Sequence, residues 1–178
     1  DVLDAEGTSG AAAREDILNR FGAAHPKLTP TLAQKIVDVA AALDTDPVFL
    51  ANAIKGESGF DSRIKNPRSS ATGLIQFIES TAQGLGTSTA ELKEMTPEDQ
   101  MDYVYKYLAR HKGKLSTPGD VQMAIFYPNA VGKPDDFDIL DDYHRVSYRE
   151  ARRRGQTVEE ATEFANRRWN SYNRANPT

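Results

Sequence analysis

The chain has 178 residues, 39% of them hydrophobic and 27% charged, with a mean hydropathy of -0.59, so it is long enough to bury one core and too polar to be membrane-embedded. It contains no cysteine, which excludes a disulfide framework, a thiol nucleophile and thiolate-bound zinc. The net charge of -4 divides unevenly, with eight arginines against four acidic residues from Tyr143 onward; a basic tail on an acidic body argues against a general nucleic-acid binder, although the tail itself could meet an anionic surface.

Residues 1–10, with Gly7, Thr8, Ser9 and Gly10, read as a flexible lead-in, and a short helix is expected from about Ala11 to Phe21. Thr29 as cap and Pro30 at the first helical position open a core helix in which Leu32, Ile36, Val39, Ala40 and Leu43 recur at helical spacing. Asp46-Pro47 repeats the pattern and opens a second helix, VFLANAIKGES, which Gly59 should end. After an irregular stretch to about Thr72, the apolar segment GLIQF leads into a helical turn over residues 79–85. Ser88 with Glu91, and Thr157 with Glu160, have the spacing of a capping box. Thr96-Pro97 starts a long helix with Met101, Val104, Tyr105 and Leu108 on one face, ending near Gly113, and Pro118 starts another through Ile125 and Phe126.

No period-two alternation is long enough for a strand and no repeat is present, so the fold is expected to be mainly helical. The longest apolar stretch, Ile36 to Leu43, is short and contains Asp38, so no membrane span is expected. His25, His111 and His144 are scattered without metal-ligand spacing, so neither a metal nor another cofactor is expected. The chain opens at Asp1 with no secretory signal, which reads as a processed product or a segment of a longer protein.

In the helix from Pro47, the positions Leu50, Ala53, Ile54 and Glu57 share one face, so Glu57 stands where an apolar residue would be expected. Burial there, together with the negative end of the helix dipole, would disfavour its charged form and suit it to general-acid chemistry. The plainer alternative is a surface glutamate that swings out to pair with Lys55 or Arg63.

The string that follows, GESGFDSRIKNPRSSATGLIQFIESTAQGLG over residues 56–86, carries more. The pair Glu57-Ser58, then Phe60 and Asp61, then Gly73-Leu74-Ile75-Gln76, then Thr81-Ala82 and a glycine, resembles in order and spacing the lytic transglycosylase (SLT) family of the lysozyme-like superfamily. Ile75 stands where methionine is usual. The family's Ala-Tyr-Asn-Ala-Gly string is approached by Phe126-Tyr127-Pro128-Asn129-Ala130-Val131-Gly132, in which Pro128 separates the tyrosine from the asparagine and biases Tyr127 toward an extended backbone.

The resemblance, which covers roughly residues 30–140, implies a mainly α, lysozyme-like (SLT or goose-type) domain with a substrate cleft over residues 26–142; outside the resemblance, the sequence is read as a lead-in over 1–25 and a basic helical extension over 143–178. It implies a peptidoglycan lytic transglycosylase that cleaves the MurNAc-GlcNAc β-1,4 bond with formation of 1,6-anhydro-MurNAc, with Glu57 as acid and base. Ser58, Gln76, Tyr127 and Asn129 are its candidate substrate-binding residues. Tyr107 is a further candidate, as a sugar-stacking ring from the helix that also carries Tyr103 and Tyr105. The alternative for Phe126 and Tyr127 is an aromatic core cluster, which suits Phe126 better than Tyr127, whose hydroxyl needs a partner.

Expected partners are peptidoglycan glycan strands and, through the flanks, a larger virion or envelope assembly, with no nucleic acid. The expected setting is virion-associated or periplasmic, and the Tyr-Pro-Asn variant looks like that of phage virion transglycosylase domains. Two alternatives stay open: a hydrolytic lysozyme on the same fold, with Asp61 or another acid positioning water, and a non-catalytic peptidoglycan-binding or assembly module.

Overall fold

A computed structural model of the chain describes residues 2–134 and 137–175. These form two compact units, Asp1–Gly132 and Lys133–Thr178. Both are helical, and no strand occurs among the described residues beyond the isolated bridges Lys65 to Thr72 and Thr72 to Phe77. No helix among them is long and apolar enough to cross a membrane.

The first unit is organised around α2 (Pro30–Leu43), which packs against α1 (Val2–Ile17), α3 (Pro47–Ser58) and α6 (Pro97–Leu108). Its caps are those the sequence announces. Thr29 accepts from the Leu32 N–H with Pro30 at the first position, and the chain leaves α2 through left-handed Asp44. Leu32, Ile36, Val39, Ala40 and Leu43 are all buried, as their spacing requires, and join Leu50, Ile54, Leu74, Leu92, Met101 and Leu108 in one core. Burying each leucine, isoleucine, valine or methionine among them is worth about 1.5–3 kcal/mol.

The helix expected from Ala11 begins at Val2 instead, so α1 runs through Gly7 and Gly10 before widening into a π-helical turn at Leu18–Gly22. A helical glycine costs only about 1 kcal/mol relative to alanine, which packing on α2 and α3 offsets; Ile17 is fully buried. Residues expected to lead into the domain therefore contribute to its core.

α3 is capped by Asp46, which accepts from the Val48 N–H, and ends at Gly59 with φ 59°. Beyond it lie an irregular segment, the short helices α4 (Glu79–Gly84) and α5 (Thr89–Glu94), then α6, continued by a 3-10 turn at Ala109–His111. α7 (Pro118–Phe126) packs against α3, and its start is fixed by a reciprocal capping box between Thr117 and Asp120. Ser88 accepts from the Glu91 N–H, but the Glu91 carboxylate takes the Thr87 and Ser88 hydroxyls. α7 stops at Phe126, where Pro128 makes continuation impossible, and a 3-10 turn follows at Pro128–Ala130.

The second unit is a helical hairpin of α8 (Ile139–Arg153) and α9 (Val158–Ala175), turned by Gly155 at φ 81°. Thr157 and Glu160 exchange both bonds of a capping box. Ser147, Ala151, Ala161 and Ala165 are buried in it, while Arg154 and Arg168 both pair with Glu150. The basic run Arg152-Arg153-Arg154 thus closes a helix end, where cations are favoured by the dipole.

Candidate active site

Glu57 is the penultimate residue of α3, on the face that buries Leu50, Ala53 and Ile54, and it is itself half-buried. Burial pushes its carboxyl above the ordinary glutamate range, and a hydrogen bond from Gln122 partly opposes the shift. That bond runs from Gln122 Nε2 to Glu57 Oε1 at 2.9 Å, across the packing of α3 on α7. The partner is therefore a neutral amide, and neither Lys55, which lies over the Phe21 ring, nor Arg63 takes the role expected of a surface ion pair.

Immediately after α3 the backbone turns through two left-handed residues, Gly59 at φ 59° and Phe60 at φ 65°. For Phe60 this conformation carries strain, which is held by burial of its ring against Phe21 and His25. Asp61 then accepts from the Arg63 N–H at 2.9 Å and pairs with Lys27 at 2.6 Å. Burial acts to raise the Asp61 pKa, but the Lys27 and Arg63 contacts outweigh it and hold the carboxyl below its ordinary value.

Ser58 is only 7% exposed. Its hydroxyl lies 2.9 Å from the Leu74 carbonyl and 3.1 Å from the Ile54 carbonyl, so it points into the protein and ties the end of α3 to the Gly73-Leu74-Ile75-Gln76 segment. That segment is a tight loop closed by paired bonds between Thr72 and Phe77, with Gly73 at φ 85° and Gln76 at φ 57°. Gln76 is half-buried, and its amide donates to the Gly73 carbonyl at 3.0 Å and the Ile64 carbonyl at 3.4 Å.

The loop is held from below by Gln100, a fully buried α6 residue. Its oxygen accepts from the Leu74 N–H at 3.0 Å, and its nitrogen donates to the Ser62 and Leu92 carbonyls, each at 2.6 Å. Sequence reasoning missed Gln100, although a glutamine between Asp99 and Met101 at the start of an apolar face was there to be read. It missed Gln122 as well, whose only signal is one polar residue in the apolar run VQMAIF.

Tyr107 is partly buried, donates to the Ile125 carbonyl at 3.3 Å and stacks edge-on against Phe77, with the Arg110 guanidinium over its ring. It links α6, the Gly73 loop and α7. Tyr127 is 7% exposed at the end of α7, whereas Asn129 is exposed on the following 3-10 turn. Phe126, at 40% exposure, lies outside the core that its aromatic neighbour Tyr127 enters. Glu57, Ser58, the Gly73 loop, Tyr107 and α7 are thus joined by direct contacts. Among the described residues no group of three His, Asp or Glu side chains gathers as a metal ion would require.

The model of the family described as the transglycosylase SLT domain matches residues 36–133, which contain α3, the Gly73 loop, α6 and α7. This match covers more than half of the chain, and the chain belongs to that family, whose domains act on peptidoglycan glycan strands. No curated protein and no solved structure matches the chain.

Proposed function

We propose that the chain is a lytic transglycosylase that cuts the MurNAc-GlcNAc β-1,4 bond, with Glu57 as its single acid and base. The observation that carries this reading is the state of Glu57: a half-buried carboxyl at a helix end, its pKa raised by burial, held by an amide and not a cation. Such a group is protonated at a higher pH than a solvated glutamate and can donate. Glu57 gives its proton to the glycosidic oxygen, the bond from that oxygen to C1 of MurNAc breaks, and GlcNAc leaves as an alcohol. The resulting carboxylate takes the proton of the MurNAc 6-hydroxyl, whose oxygen bonds to C1 and closes the 1,6-anhydro ring. Because the attack is intramolecular, it gains from high effective molarity and needs no second carboxylate to place water.

The commitment of Asp61 to Lys27 and to the Arg63 N–H supports this route over a hydrolytic one, in which a second acid would position water. Gln76 and Asn129 are the residues we assign to the glycan, Asn129 being the more exposed; Tyr107, engaged by Ile125, Phe77 and Arg110, and the buried Tyr127 we assign to the wall that backs them. Ser58 we assign to holding Glu57, since its hydroxyl faces inward. The setting we infer is the cell wall, reached from a virion-associated or periplasmic assembly, with the Tyr127-Pro128-Asn129 variant favouring the former.

The test is mass spectrometry of soluble fragments released from purified peptidoglycan, with Glu57→Gln in parallel. Fragments ending in 1,6-anhydro-MurNAc from the parent and none from the variant are the expected result. Reducing-end MurNAc would replace the reading with a hydrolase, and no fragments from the parent would replace it with a binding or assembly module.

A further inference from the structure

A single acid and base must be held in one place while it is protonated and again while it is charged. A cationic partner would serve only the second state and an acidic partner only the first. The side chain that meets Glu57 is neither. Gln122 Nε2 lies 2.9 Å from Glu57 Oε1, and it is an amide, which carries two N–H donors and one carbonyl acceptor on the same planar group. With Glu57 ionised, the N–H donates to the carboxylate, as observed. With Glu57 protonated, a half-turn of the amide about its last torsion, which is broad and nearly two-fold, presents the oxygen to the carboxylic O–H.

We propose that Gln122 is the positioning residue of this site, holding Glu57 in one orientation through both halves of the proton cycle by exchanging donor for acceptor. The proposal rests on the acid-base reading of Glu57. Among the described residues, the charged groups on the elements packed against α3 are engaged elsewhere: Arg14 with Glu15, Asp16 with Arg20, Lys35 with Asp102, Asp38 with Gln34, and Asp120 in the capping box that starts α7. On α3 itself Lys55 sits over Phe21. Burial and the Gln122 amide are the influences on Glu57, and the amide acts to lower its pKa. The capping box matters here because it fixes the start of α7 one turn before Gln122, and the packing of α7 on α3 then sets the reach.

Two variants of opposite character test the assignment, and since Gln122 is exposed both should fold, which circular dichroism checks. Gln122→Leu removes donor and acceptor; Gln122→Lys keeps a donor, adds charge and cannot accept. The Glu57 carboxyl is followed directly by carbon-13 NMR of the labelled chain, and the pH profile of kcat/KM is measured on peptidoglycan. Because a general acid loses activity as pH rises through its pKa, the alkaline limb should follow the titration. Gln122→Leu should move both to higher pH and Gln122→Lys both to lower pH, while each lowers kcat by about tenfold with a smaller change in KM. A lysine lowers the titration of any nearby carboxyl, so the upward shift in Gln122→Leu is the readout that a merely structural role for Gln122 would not give. An unmoved titration in Gln122→Leu overturns the pairing whatever the activity. Shifted titrations in a parent chain that cleaves nothing overturn the acid-base reading beneath it.

Discussion

Gly73 and Gln100 occupy adjoining space so closely that a Cβ on Gly73 would meet the Gln100 amide, about 3.0 Å from its Cδ and Nε2 and nearer still to its oxygen. The amide cannot retreat without giving up its bonds to Leu74, Ser62 and Leu92. Gly73 also holds φ 85°, where an L side chain is strained.

Gly73→Ala should therefore destabilise the chain by about 2–4 kcal/mol, combining left-handed strain with a clash against an immovable buried group. Urea unfolding measures it, and a loss under 1 kcal/mol would mean that the loop relaxes away from Gln100.

Gln100→Leu keeps most of the volume but strands the Leu74 N–H and the carbonyls of Ser62 and Leu92. At about 1–3 kcal/mol for each buried group left without a partner, a loss of at least 3 kcal/mol is expected in the same unfolding experiment.

Ser58→Ala discriminates between contact with sugar and support of Glu57. Its hydroxyl is turned toward the Leu74 and Ile54 carbonyls, so the variant should lose about 1 kcal/mol of stability and some kcat, with KM for glycan fragments nearly unchanged. A large rise in KM with stability intact would return Ser58 to the substrate.

The pH dependence of stability should show two opposite signs. Glu57 has a raised pKa in the folded chain, so its contribution is fully present below the ordinary value of 4.5 and is lost as pH rises through the folded value; Glu57→Gln should gain on the parent as pH goes from about 4 to 7. Asp61 has a lowered pKa, so its contribution is present above 3.8 and lost as pH falls through the folded value. With Lys27 well exposed, Asp61→Asn should cost only about 0.2–1 kcal/mol near neutral pH and nothing in strong acid. Urea titrations across pH give both slopes, and parallel curves for either variant would contradict its assigned shift.

Most of the helices were legible because their signals are local. A cap, a proline at the first position and an apolar residue every three or four are read within one segment, and Thr29, Asp46, Thr96 and Pro118 open helices where they should. The start of α1 was not, since the glycines that suggest a flexible lead-in are tolerated once the helix has α2 and α3 to pack on. Glu57 was legible in the same local way, as an acid in an apolar stripe, and the string around it led to the family.

The sequence by itself determined the helical class, the helix boundaries near proline, the family and the residue on which the chemistry is proposed to rest, because each of these is written in neighbouring residues. Only the tertiary structure decided what surrounds that residue. Gln122 is 65 positions from Glu57 and Gln100 is 26 from Leu74, and no periodicity links such pairs. It likewise decided that Ser58 faces inward, since the carbonyl it meets belongs to a loop 16 residues on. A hydrogen bond is satisfied by whatever the packing brings within about 3 Å, so the partners of a buried polar group are a property of the fold and not of the segment that carries it.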